Sequence, residues 1–266
     1  MTTTAVRFQD IALSEWTKIR SLRSTAWSFA ALVVVSVGFS ILATSIYTAN
    51  WDHLSADDRV NMVEDPIGLI LQPGAAWGQI AMCVLGVLLF AGEYSTSMIR
   101  ATMLAVPRRT PVLAAKFAVL AAVTFVVAEI VAFGSFFVGQ AIMRSHVSVS
   151  LGDPDVLRAI LGYGLYLALV GVLALSFGAI VRHVAGAIVL MIALTLVLPT
   201  VFSGLPGKLG RYLSTYMPSP QAGLQVMSTG RGGDAVVSPW QGFGVGCAWT
   251  ALAVLLAITL LNKRDV

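Results

Sequence analysis

The chain has 266 residues, of which 57% are hydrophobic and only 11% charged, with a formal net charge of +4. Soluble domains carry about 25% charged residues, so this composition excludes an ordinary water-soluble fold and points to helices in lipid. The charge is too small to argue for nucleic acid, and Cys83, Cys247, His53, His146 and His183 are too scattered for a structural zinc site or a metal cofactor.

Residues 1–26 are too polar, and too acidic at Asp10 and Glu15, for the leading part of a cleaved signal peptide, and are expected to be retained. On a helical wheel Phe8, Ile11, Ala12, Trp16, Ile19 and Leu22 gather on one side, with Arg7, Asp10, Thr17, Lys18, Arg20 and Ser21 around the rest. That pattern predicts a helix lying in the membrane interface, in contact with lipids. The alternative is that its charges serve only to set topology. Glu15 falls inside the apolar arc, where Lys18 or another chain could neutralise it.

Six apolar runs follow, at 27–47, 75–91, 112–143, 157–181, 184–202 and 240–261. A span needs about 20 apolar residues, so the expectation is an all-α integral membrane protein with six transmembrane helices, spanning 27–261, and a short tail at 262–266. Only Arg182 and His183 part the fourth run from the fifth, which predicts a tight hairpin, since a fused helix would far exceed the hydrocarbon thickness. With the N-terminus inside, eleven of the 17 Lys and Arg residues fall on cytoplasmic segments. The positive-inside rule then places both termini in the cytoplasm.

Between the second and third runs lies Gly92 to Lys116, GEYSTSMIRATMLAVPRRTPVLAAK. Tyr94, Met98, Ile99, Met103 and Leu104 recur at helical spacing, with Ser95, Thr96, Arg100 and Thr102 between them, predicting a short amphipathic helix over 94–104. Pro107 ends it, and Thr110 with Pro111 starts the next. An ordinary solvated basic loop is the alternative.

Within the spans the informative residues are polar. Glu129, near the middle of the third run, is costly in lipid and is expected to face protein or water, either lining a substrate path, carrying a proton, or hydrogen-bonding another helix. Ser36, Ser40 and Thr44 repeat every four residues on the first run, as a stripe toward a pathway or as helix packing. Gly242 and Gly246 form a GxxxG pair, a sign of close helix contact. The connection 203–239 is rich in Gly, Pro and Ser, but Leu209, Tyr212, Leu213, Tyr216 and Met217 make an apolar face, and 220–226 follows the break at Pro218. It is read either as two short helices dipping back into the outer leaflet or as a folded surface loop.

Catalytic strings are missing. There is no GxxxxGK[ST], since GLPGKLG around Lys208 lacks the spacing and the hydroxyl, and no HExxH, GxSxG or CxxC. The chain is therefore not expected to be an enzyme, and any ATP-driven work must enter from a different polypeptide.

The strings GEYSTSMIR with PRR and Lys116, EWTKIRSLRST at 15–25 and YMPSPQAG at 216–223 together resemble permease subunits of ABC-2 type exporters, most closely the short actinobacterial members. The resemblance implies that Glu93 is the acidic residue ending the second span, that Tyr94 to Met103 is the coupling helix, and that Pro107 and Lys116 are the proline and lysine preceding the third span. Ser97 departs from the family glycine at its position, a change a helix tolerates. It further implies a bacterial plasma-membrane location, two cytoplasmic ABC ATPase subunits holding ATP and Mg while this chain binds no cofactor, and pairing with a second copy or a related permease. The contact set with the ATPase would be Glu93, Tyr94, Thr96, Met98, Ile99, Arg100 and Met103. The cargo would be a drug, antibiotic or lipid-like molecule moved outward. Two other classes stay open: a proton-coupled carrier using Glu129, and a non-transporting immunity or sensor subunit.

Overall fold

A computed structural model describes residues 7–96, 98–105, 109–218, 223–228 and 237–263, and among these the chain is helical with no strand. Helix α1 is Phe8–Ser21, and α2, Arg23–Ala49, follows after a one-residue break at Leu22, whose backbone is extended. Helix α3 is Ala56–Glu64, α4 is Pro66–Ser95, α5 is Met98–Ala105 and α6 is Arg109–Met143. Helix α7 is Val156–Val181, α8 is Val184–Ser203, α9 is Lys208–Tyr216 and α10 is Pro239–Lys263. Six of them, α2, α4, α6, α7, α8 and α10, are long and apolar enough to cross a bilayer, which fits a multi-pass membrane protein.

Each of the six predicted apolar runs lies within one of these helices, whose bounds are longer. The largest difference is α4, which starts at Pro66 instead of residue 75. Gly68, Gln72 and Pro73 interrupt the apolar run in the sequence. In the fold, however, Asp65 caps the first turn by accepting the Gly68 N–H at 2.9 Å, and Ile67, Ile70 and Leu71 are fully buried. Helix α8 contains a π-helical stretch, Ala193–Val197, just before Pro199. A proline cannot donate to the carbonyl one turn back and its ring crowds that carbonyl, so widening the turn there is the local answer. Arg182 ends α7 in the left-handed conformation, and the His183 ring caps α8 by accepting the Gly186 N–H at 3.1 Å, which makes the expected hairpin.

Helices α4 and α7 form the centre. Their most apolar windows are 67% and 61% buried, against 22–28% for the other four spans, which pack around them. Contact at the centre is close because it is made of small residues. A methyl group added to Gly86 of α4 would lie 2.5 Å from the Gly171 carbonyl oxygen of α7. Helix α2 meets α4 in the same way, with Ser36 and Ser40 packed against Gly74 and Gly78. The end of the bundle that carries α1, α5 and the Arg182 hairpin is the basic one among the described residues, and α3, α9 and Leu224–Met227 occupy the other.

Within that connection the 3-10 turn Leu224–Met227 is wedged among α4, α7 and α10, with Val226 and Met227 fully buried. Arg158 of α7 holds it, donating to the Val226 carbonyl at 2.9 Å and the Ser228 carbonyl at 2.8 Å. The predicted face on α9 stays outward, with Leu209, Tyr212, Leu213 and Tyr216 exposed. The predicted helix over 220–226 falls partly outside the described residues, which take up again at Gly223.

Candidate functional site

The site with the most chemistry lies at the basic end, where α1, the end of α4, α5 and the start of α6 converge. Helix α1 packs on α6 through Ile11 against Val112 and Ala115. This brings Glu15, on the same face one turn later, against Lys116 of α6. Lys116 Nζ donates to Glu15 Oε2 at 2.6 Å and to Glu93 Oε1 of α4 at 2.8 Å. Lys18 Nζ closes the ring, donating to Glu15 Oε1 at 2.7 Å and to Glu93 Oε1 at 3.0 Å. Charges alternate around the ring, so each carboxylate faces two ammonium groups.

Burial makes the ring obligatory. Glu15 and Lys116 are 2% exposed and Glu93 is 7% exposed, and an unpaired charge there would cost several kcal/mol. Burial opposes the Glu15 charge, but the Lys116 charge and hydrogen bonds from Lys116 and Lys18 outweigh it and hold the carboxyl below its ordinary range. Burial likewise works against the Lys18 ammonium, but its hydrogen bond to Glu15 and the charges of Glu93 and Glu15 raise it above the usual lysine value. A cavity of about 180 Å³ lies beside the ring, with Leu22 and Ser24 lining one part and Thr96 and Met98 another.

Helix α5 is fastened to this ring. Lys18 Nζ reaches Thr102 Oγ1 at 3.4 Å, and Ile99, 2% exposed, packs into the core. Leu104 is 85% exposed, and Met98 is exposed as well. The helix is thus held by one side and offers an apolar edge on another. Its observed start is Met98, so Tyr94 belongs to the last turn of α4 and Thr96 caps that turn, its hydroxyl donating to the Gly92 carbonyl at 3.1 Å. The predicted single helix over 94–104 is therefore two pieces.

Several predicted contact residues point inward. Glu93, expected to orient a docked subunit, is committed to two lysines of its own chain. The Tyr94 ring lies tilted against Phe90, with centroids 5.7 Å apart, and the Arg182 guanidinium lies 4.8 Å from its centroid, tying α4 to the α7–α8 hairpin. Arg100 and Met103 lie on α5, but their side chains are outside the described residues, as are Ser97 and Pro107 entirely. At the base of α6, Arg109 donates to the Leu261 carbonyl at 2.7 Å and so caps the end of α10.

The other predicted residues are not gathered here. Ser36, Ser40 and Thr44 are buried in the bundle, the first two at the α2–α4 contact. Glu129 is half-buried on α6 beside Gly164 of α7, whose missing side chain leaves room for the carboxylate. Gly246 packs on Leu169 of α7, and Gly242 is buried. Sequence reasoning missed the buried bond from Tyr166 OH to Gln79 Oε1, 2.6 Å, and the Arg158 clamp. No local signal joins residues 87 and 68 positions apart. The Glu15–Lys18 contact was legible as an i,i+3 pair, whereas Glu93 and Lys116 join it only through the fold. Comparison with protein-family models and with curated proteins finds no match.

Proposed function

We propose that this chain is the membrane-spanning subunit of an ABC-2 type exporter, with the basic end in the cytoplasm and α5 as the surface on which a separate ATPase subunit acts. The observation that carries the reading is the two-sidedness of α5. Ile99 and Thr102 hold it to the charged ring, which joins α1, α4 and α6, while Met98 and Leu104 remain exposed. A helix seated in a groove by its apolar edge is a common mode of protein recognition. A push on that edge would pass through the ring to the spans that begin or end there. Two such chains, or this one with a related permease, would pair with two ATPase subunits, and alternating opening between them would move a hydrophobic or amphipathic cargo outward.

The test uses the ABC ATPase encoded nearest to this gene, co-expressed with the chain. Leu104→Glu and Arg100→Glu are expected to insert normally yet lower ATP-driven efflux by about thirtyfold, the loss that removal of an interface anchor typically brings. Unchanged efflux in both variants would count against α5 as the lever. A second reading, a proton-coupled carrier, draws on Glu129, a carboxylate within a membrane-length helix that sits against Gly164 of α7. It predicts uptake or efflux in vesicles driven by a pH gradient without any ATPase, abolished by Glu129→Gln. A sensor or immunity subunit would bind its partner with no flux in either assay.

A further inference from the structure

Helix α1 carries two apolar stripes. Ile11 and Ile19, with Glu15 between them, are buried against the bundle, and Gln9, Leu13 and Trp16, spaced i, i+4 and i+7 with Ala12 beside them, flank that contact on its open side. The second stripe forms one wall of a groove of about 780 Å³, whose other wall is Val119, Ala122, Val123, Val126 and Val127, a single face of α6. The groove is apolar except for Gln9, so ordered water has nothing to hold it there. It runs along a helix of membrane-spanning length, with its rim at the interfacial helix.

The rim is positively charged. Arg20 falls one turn after Trp16 on the same stripe, it is exposed, and Arg23 at the start of α2 is exposed too. Lys18, the cation just before them in the chain, is consumed by Glu15 and Glu93, and Asp10 accepts the Arg7 backbone N–H in the helix cap. An apolar slot beside which Arg20 and Arg23 make no ion pair among the described residues fits an amphipathic anion. We infer that the groove between α1 and α6 holds an acyl chain of an anionic phospholipid, whose phosphate is bound by Arg20 with Arg23.

A second copy of the chain fits the groove less well. The exposed carboxylates among the described residues, apart from Asp10, are Asp52, Asp57, Asp58, Glu64, Asp153 and Asp155, all at the opposite end of the bundle. Among the described residues a parallel neighbour therefore offers Arg20 only Asp10, which its own helix cap engages. Lipid supplies both halves of the match, since each basic residue close to a membrane surface adds about fivefold to anionic lipid binding. The bound lipid would brace α1 from the side that the protein leaves open.

Trp16, in the groove wall, is the reporter. The chain is reconstituted in phosphatidylcholine vesicles containing a minor fraction of lipid brominated on its acyl chains, and the Trp16 signal is taken as the difference from Trp16→Phe. Brominated phosphatidylglycerol is expected to quench that signal at a dose at least about fivefold lower than brominated phosphatidylcholine. Arg20→Gln should remove the difference between the two lipids, Arg20→Lys should keep it, and Val123→Phe, which fills the slot, should weaken quenching by both. Equal potency of the two lipids on the unaltered chain would reduce the groove to unselective lipid contact and overturn the proposal. So would a preference that survives Arg20→Gln, or a disulfide forming between two copies of Leu13→Cys in place of quenching.

Discussion

Four charged side chains carry most of the electrostatic cost at the basic end, and each is sustained by the two of opposite sign. Lys116 is the one that touches both carboxylates from the most buried position, so Lys116→Met leaves Glu15 without its closest counter-charge. The expected loss is about 3–5 kcal/mol, read as a lowered thermal midpoint of the detergent-solubilised protein. Combining it with Glu15→Gln should recover more than half of the loss, because the stranded charge is then gone. The ring also sets a pH window. Glu15 is held below its ordinary value of 4.5, so its contribution is complete above that pH and is lost as pH falls through the lowered value. Lys18 is held above its ordinary 10.5, so its contribution is complete below that pH and is lost as pH rises through the raised value. Protection factors of the α1 amides against hydrogen exchange, with the intrinsic pH dependence divided out, should accordingly be steady between those limits and fall on acidification. A steady profile down to strong acid would mean that Glu15 does not anchor α1.

At the scale of elements, the helices divide by what lets them approach. Helices α4 and α7 touch backbone to backbone at Gly86, where an added methyl would meet the Gly171 oxygen at 2.5 Å and the Leu175 nitrogen at 2.9 Å. Neither neighbour can rotate away, so Gly86→Ala is expected to destabilise by about 1–3 kcal/mol, the usual cost of overpacking. Gly134 on α6 has nothing within 4 Å of the same position. There, Gly134→Ala should leave the thermal midpoint unchanged or raise it, since alanine is the better helix former. Equal effects at the two sites would mean that α4 and α7 are not packed this closely. Helix α5 is too short to be stable alone, and its order comes from Ile99 in the core and Thr102 on Lys18.

For the whole molecule, two buried helices and four partly lipid-facing ones make a bundle whose ends differ in kind. The basic end is tied together by side chains: the ring, Arg182 on Tyr94, and Arg109 on the end of α10. The other end is stoppered by backbone, with Leu224–Met227 seated among α4, α7 and α10 under the Arg158 clamp. If the basic end is cytoplasmic, Asp57→Cys should react with a membrane-impermeant thiol reagent in intact cells and Thr17→Cys only after permeabilisation. The reverse pattern would invert the topology and remove α5 from reach of any cytoplasmic ATPase.

The reading of particular segments shows where sequence is sufficient. Length and apolarity were enough for the six spans, and a non-apolar pair, Arg182 and His183, was enough for the hairpin, because both depend on local composition against a fixed bilayer thickness. The early start of α4 was hidden, because Pro73 and Gly68 read as breakers when burial of Ile67, Ile70 and Leu71 is not known. Glu15 shows the same division at a single residue. Its place in an apolar arc and its bond to Lys18 follow from helical spacing, which is local. Its pairing with Lys116, 101 positions away, and the enclosure of Glu93 by both lysines were decided only when α1 packed on α6, because Coulombic partners are chosen by distance in space and not along the chain.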